Sequence, residues 1–113
     1  CALMKPAAEQ LKARLDGIEL QVPRIAVMNN VDVRVENDPA AIRDALVRQA
    51  YSPVRWIESI QAIEATGVTH ILECGPGKVL AGMNKRIAQN AASGSLHDAA
   101  SLEAAITQLG EGA

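Results

Sequence analysis

Val68-Thr69-His70-Ile71-Leu72-Glu73-Cys74-Gly75-Pro76-Gly77-Lys78-Val79-Leu80 reads as a short apolar strand that runs through a glycine-proline turn into a helix. The helix continues on Val79, Leu80, Met83, Ile87 and Ala88, with Lys78, Lys85 and Arg86 between the apolar positions. A glycine-rich strand-to-helix turn can aim backbone N–H groups at a phosphate. The Walker spacing is absent, because Leu72 stands where the first glycine belongs and Val79 where Ser or Thr belongs. Pro76 also removes one donor. A tight connecting turn is the competing reading, and it is the one preferred here. His70 and Cys74 lie four apart on the strand, about 13 Å from each other, too far to share a tetrahedral zinc. No metal site is expected from them.

Outward from this unit, helical and extended patterns alternate. Leu3, Met4, Ala7, Ala8, Leu11 and Leu15 recur at helical spacing up to Gly17, and Pro6 fits only the first turn of such a helix. Ile25-Ala26-Val27-Met28, closed by Asn29 and Asn30, suits a strand buried on both faces. Asp38-Pro39 has the form of an N-cap followed by a proline at the first helical position, opening a helix from about Ala40 to Gln49 with Ile42, Leu46 and Gln49 on its inner stripe. A third helix carries Val54, Trp56, Ile57, Ile60 and Ile63 and stops before Gly67. Asn90 to Ser95 reads as loop, with a brief strand near Leu96, and Leu102, Ala105, Ile106 and Leu109 form a last helix. The alternation predicts an α/β layer with short parallel strands and covering helices. A parallel sheet needs more strands than this, so further strands are expected from upstream sequence.

The 113 residues suffice for one modest domain, and hydrophobic residues at 49% with charged residues at 21% are ordinary for a globular chain. Lys+Arg 11 against Asp+Glu 13 argues against a nucleic-acid partner. No apolar run reaches the roughly 18 residues of a membrane span, so no membrane partner is expected. The two cysteines, Cys1 and Cys74, are too few for a disulfide framework and fit free thiols in a reducing cytoplasm. With no Phe, one Trp and one Tyr, the core must be built from small and branched aliphatics. The chain opens on Cys1 directly in helix pattern, and the expectation is that it is the tail of a longer polypeptide.

Gln49 stands out chemically. In a continuing helix its carbonyl would accept the N–H of residue 53, but that residue is Pro53, which has none. The carbonyl is therefore expected to stay open at a helix C-terminus, where the backbone dipole favours a donor bearing positive charge. An imidazole N–H is a suitable guest; a water molecule or a turn amide is the plainer alternative.

Cys1-Ala2-Leu3-Met4-Lys5-Pro6-Ala7-Ala8, Asn29-Asn30-Val31-Asp32-Val33, Ala41-Ile42-Arg43-Asp44-Ala45-Leu46-Val47-Arg48-Gln49 and Glu73-Cys74-Gly75-Pro76-Gly77-Lys78-Val79-Leu80 together resemble the C-terminal third of the malonyl-CoA:acyl carrier protein transacylases of bacterial fatty acid synthesis. The resemblance implies the C-terminal part of an α/β-hydrolase-like acyltransferase fold, with residues 1–113 as one segment of a single catalytic domain. It implies malonyl transfer from malonyl-CoA to the phosphopantetheine thiol of acyl carrier protein, without a cofactor, through a serine nucleophile and a histidine base. In the family that histidine directly precedes the position of Cys1, and the serine elbow and ferredoxin-like subdomain also lie upstream, so the upstream part of the enzyme is an implied partner and the chain alone is expected to be inactive. The resemblance places on Gln49 the main-chain carbonyl that orients the histidine, on Val79 a contact to the acyl group, and on Lys85 and Arg86 the docking of the carrier protein. Ordinary core packing competes for Val79, and a solvated helix face for the two cations. A non-catalytic carrier-protein docking fragment and the tail of a polyketide synthase acyltransferase domain are the alternative functions.

Overall fold

The computed structural model describes residues 1–111. Its backbone divides into two units, Cys1–Ser59 and a second beginning at Ile60.

In the first unit a 3₁₀ turn over Ala2–Met4 leads into α1 (Lys5–Asp16), with Pro6 in the first turn, where its missing N–H leaves no bond unmade. The helix ends at Gly17, whose N–H returns to the Arg14 carbonyl at 3.2 Å. Arg43 covers this end, donating from Nε to the Leu15 carbonyl at 3.0 Å, so that a cation meets the negative end of the helix dipole. Arg43 belongs to α2 (Pro39–Gln49), which packs against α1. Asp38 is its N-cap, with extended backbone and Oδ2 accepting from the Ala41 N–H at 3.1 Å. Each helix buries an alanine, Ala8 at 2% exposure and Ala45 at 3%.

The run Ile25–Met28 is not the doubly buried strand its composition suggests. Ile25 is 80% and Val27 60% exposed, and only Met28–Asn29 (β1) enters a ladder. Its partner is Arg34–Val35 (β2), antiparallel, with Met28 opposite Val35. Among the described residues no strand pairs with residues 25–27, so nothing covers Ile25 and Val27, while Asn29 Oδ1 accepts the Asp32 N–H at 2.8 Å and shapes the reversal between β1 and β2. Val33 completes the reversal in the left-handed region at φ 56°, a costly conformation for a β-branched residue.

α3 (Trp56–Ala65) carries the chain from the first unit to the second and stops at Gly67, whose φ of 90° favours glycine. There the expected strand–turn–helix is present as β3 (His70–Cys74) and α4 (Val79–Ile87). The stretch read as loop is in fact β4 (Ala92–Leu96), parallel to β3, with His70 opposite Ala92 and Cys74 opposite Leu96. Ala-Ser-Gly-Ser-Leu has no alternating apolar pattern; backbone pairing makes it a strand. Gly94 sits beside Leu72, where a Cβ would come within 3.1 Å of Leu72 Cδ2. α4 packs on both strands and α5 (Ala99–Glu111) on β4. Ile60, Ala81, Ala88 and Ala105 are the buried apolar residues, in keeping with a core of small and branched side chains. The result is the α/β arrangement of short parallel strands with covering helices, accompanied by one antiparallel hairpin.

Asp38→Ala removes the α2 cap and is expected to cost about 1 kcal/mol. A lowered urea midpoint with an unchanged slope is the measurement that checks it.

Candidate functional site

The site is built at the C-terminal end of α2. After Gln49 the backbone tightens: the Ala50 N–H returns to the Val47 carbonyl at 3.2 Å and the Tyr51 N–H to the Arg48 carbonyl at 3.4 Å. The next acceptor in the series is the Gln49 carbonyl. Pro53 has no N–H to give it, and among the described residues no backbone amide outside the helix donates to it. Two residues further on, the Cys1 nitrogen donates to the Tyr51 carbonyl at 2.7 Å, which places it at this same helix end. Lys5 Nζ lies 5.9 Å from the centre of the Tyr51 ring, adding positive charge beside the end of the dipole.

Sequence reasoning singled out the Gln49 main chain and missed its side chain. Oε1 accepts the Asn30 N–H at 3.0 Å, and the Asn30 carbonyl accepts the Arg55 N–H at 3.2 Å. Asp32, in the same turn, receives a two-pronged contact from Arg48, Nη1 to Oδ1 at 2.9 Å and Nη2 to Oδ2 at 2.6 Å. Arg48 Nε also donates to Asp44 Oδ2 at 2.7 Å. These bonds hold the Asp32 carboxyl below its ordinary range, chiefly through the hydrogen bonds from Arg48, and push the Arg48 guanidinium still higher. Arg55 similarly lowers Glu58, which its guanidinium engages from two nitrogens. The Asp44–Arg48 spacing of i,i+4 was visible in the sequence, whereas Arg48 to Asp32, 16 residues apart, carries no local signal. Beside the network, a cleft of about 330 Å³ is lined by Met28, Asn29, Ile42, Leu46 and Gln49; the three α2 residues share one face, but Leu46 on it is 37% exposed and the residue α2 buries is Ala45.

The other sequence candidates lie in the second unit. Val79 opens α4 and is 73% exposed, so it is not a core residue among the described residues. Lys85 and Arg86 occupy the last turn of α4, both exposed. The glycine turn before Val79 is not a vacant anion cradle: Glu73 Oε2 accepts the Ala81 N–H at 2.8 Å, seating a carboxylate from β3 at the helix N-terminus. Gly75, at φ 151°, makes the bend and donates to the Leu96 carbonyl at 3.0 Å. The connecting-turn reading is therefore the one the geometry supports. His70 Nδ1 pairs with Thr69 Oγ1 at 2.8 Å, and His97 Nδ1 with Ser95 Oγ at 3.3 Å.

Comparison with solved structures assigns the fold to the acyl-carrier-protein malonyltransferases. The chain superposes on one from Vibrio cholerae with a TM-score of 0.88 and 51% identity, over 93% of this chain and 34% of that one. It also superposes, with a TM-score of 0.90 and 50% identity over 96% of this chain and 35% of the other, on a malonyl-transacylase solved in complex with a type II polyketide acyl carrier protein. No family model matches the chain. Among curated proteins it is 54% identical over 108 residues to the malonyl CoA-acyl carrier protein transacylase of Salmonella typhimurium and 48% identical over 106 residues to that of Escherichia coli. These alignments take in 96% and 94% of this chain but 35% and 34% of the relatives. In sequence and fold, the chain is homologous to the C-terminal third of the malonyl CoA-acyl carrier protein transacylases.

The lowered carboxyls fix a direction for acid sensitivity. Asp32, Glu58 and Asp98 each bind protons less readily when folded, Asp98 because Ser101 donates to it. Their stabilisation is thus fully present above the unfolded carboxyl range of about 4 and is lost as pH falls through the lower folded values. The urea midpoint is expected to fall below about pH 4, and Asp32→Asn to flatten part of that fall.

Proposed function

We propose that residues 1–113 form the C-terminal segment of a catalytic domain that transfers malonyl from malonyl-CoA to acyl carrier protein in the cytoplasm. The observation that carries this reading is the Gln49 carbonyl, which has no N–H from Pro53 and lies at the helix end that also receives the Cys1 nitrogen at 2.7 Å from the Tyr51 carbonyl. A histidine joined to that nitrogen would stand beside the carbonyl. Donation from its Nδ1–H to Gln49 fixes the tautomer with a free lone pair on Nε2. Nε2 then takes the proton of a serine hydroxyl as the oxygen attacks the malonyl thioester, the C–S bond breaks, and CoA leaves as the thiol. The carrier's pantetheine thiol attacks the resulting malonyl-serine ester in turn, and the serine oxygen recovers its proton. The carbonyl also stabilises the imidazolium that exists within each half-reaction, after Nε2 takes the proton of the attacking serine or thiol and before it passes that proton to the departing CoA sulfur or serine oxygen.

In this reading Val79 lies against the acyl group, and Lys85 and Arg86 draw in the acidic carrier protein. Exposed cations of this kind raise encounter rate more than affinity. The solved complex of a similar malonyl-transacylase with a carrier protein supports a partner of this class.

The test joins residues 1–113 to the remainder of the Salmonella typhimurium relative in place of its own aligned segment. Malonyl transfer to carrier protein is the expected result, and a folded but inactive hybrid would overturn the reading. Residues 1–113 assayed alone are expected to show no turnover. In the active hybrid, Lys85→Glu with Arg86→Glu should raise KM for the carrier protein by about 5-fold at low salt, with the difference shrinking as salt is added.

A further inference from the structure

The segment that presents the Gln49 carbonyl has little backbone bonding of its own. Residues 50–55 belong to no helix or strand, and Pro53 interrupts the amide series. Asn30 spans the gap. Its N–H is held by the Gln49 side chain at 3.0 Å and its carbonyl by the Arg55 N–H at 3.2 Å, so the two polar groups of one residue engage both sides of Pro53. The turn containing Asn30 is itself tied back to the residue before Gln49, since both oxygens of Asp32 are occupied by Arg48 at 2.9 and 2.6 Å. Asp44 holds the remaining edge of that guanidinium at 2.7 Å. The left-handed Val33 shows that the turn is kept in a conformation its own sequence disfavours.

We infer that the Gln49 side chain, Asn30 and the Asp32–Arg48 pair form a clamp that fixes the direction of the Gln49 carbonyl, making Gln49 through its side chain, and Asp32 through Arg48, positioning residues for malonyl transfer. The inference rests on the proposed function. Its consequence is specific: an acceptor that swings by a fraction of an ångström no longer aligns an imidazole, which slows the chemical steps while leaving thioester binding alone.

The experiment uses the active hybrid, with kcat counted per site able to form the malonyl ester, so that loss of folded protein does not imitate loss of rate. Gln49→Leu deletes the acceptor for Asn30 but keeps the main-chain carbonyl, and should lower kcat about 10-fold with KM for malonyl-CoA within about 2-fold of the parent. Gln49→Glu restores an acceptor oxygen and should return kcat to within about 3-fold of the parent. A folded Gln49→Leu variant with parental kcat, or a Glu variant as impaired as the Leu one, overturns the clamp. Should Gln49→Leu fail to show a cooperative unfolding transition, Asp32→Asn decides: a fall in kcat of about 3-fold supports the clamp, and a parental value overturns it. An inactive parent hybrid overturns the proposed function and the clamp together, whereas an active parent with unaffected variants overturns the clamp alone.

Discussion

A single missing hydrogen organises the unit Cys1–Ser59. Because Pro53 brings no N–H to the end of α2, the helix cannot continue its ladder and the Gln49 carbonyl is released from it. A released acceptor on an irregular segment would ordinarily wander. Here the neighbouring turn supplies from the side what the helix cannot supply along its axis, through Asn30 and through the ion pair of Asp32 with Arg48. Backbone constraint and side-chain electrostatics therefore act on the same few atoms.

The parts of this arrangement differ in how openly they are written. The start of α2 is legible because Asp38 and Pro39 act locally, one accepting from Ala41 and the other needing no bond in the first turn. Its end is legible for the same reason, since Pro53 acts on a carbonyl four residues back. The strand over His70–Cys74 and the turn at Gly75 announce themselves through apolar content and backbone freedom. All of these are effects within one turn of chain.

What stayed hidden depends on distant residues. Ile25–Met28 has the composition of a buried strand, yet among the described residues only Met28 finds a partner strand and Ile25 and Val27 stay exposed. Ala92–Leu96 has the composition of a loop, yet it becomes a strand because β3 offers it a ladder, with Gly94 set closely against Leu72. The bond from Gln49 Oε1 to Asn30 and the pairing of Arg48 with Asp32 join segments that no periodicity connects. Family resemblance pointed at the Gln49 main chain, and the structure adds the bond that its side chain accepts from Asn30.

The carboxylate of Glu73 has a consequence for how the glycine turn should be understood. Wherever a helix begins, its bare amides invite a negative guest from solvent; at this junction the chain has seated its own, on Ala81. Nucleotide phosphates arriving there would meet an oxygen of like sign in the place they need. Gly75 consequently supplies the bend, and at the Ala81 amide the helix is already served by a carboxylate of its own chain.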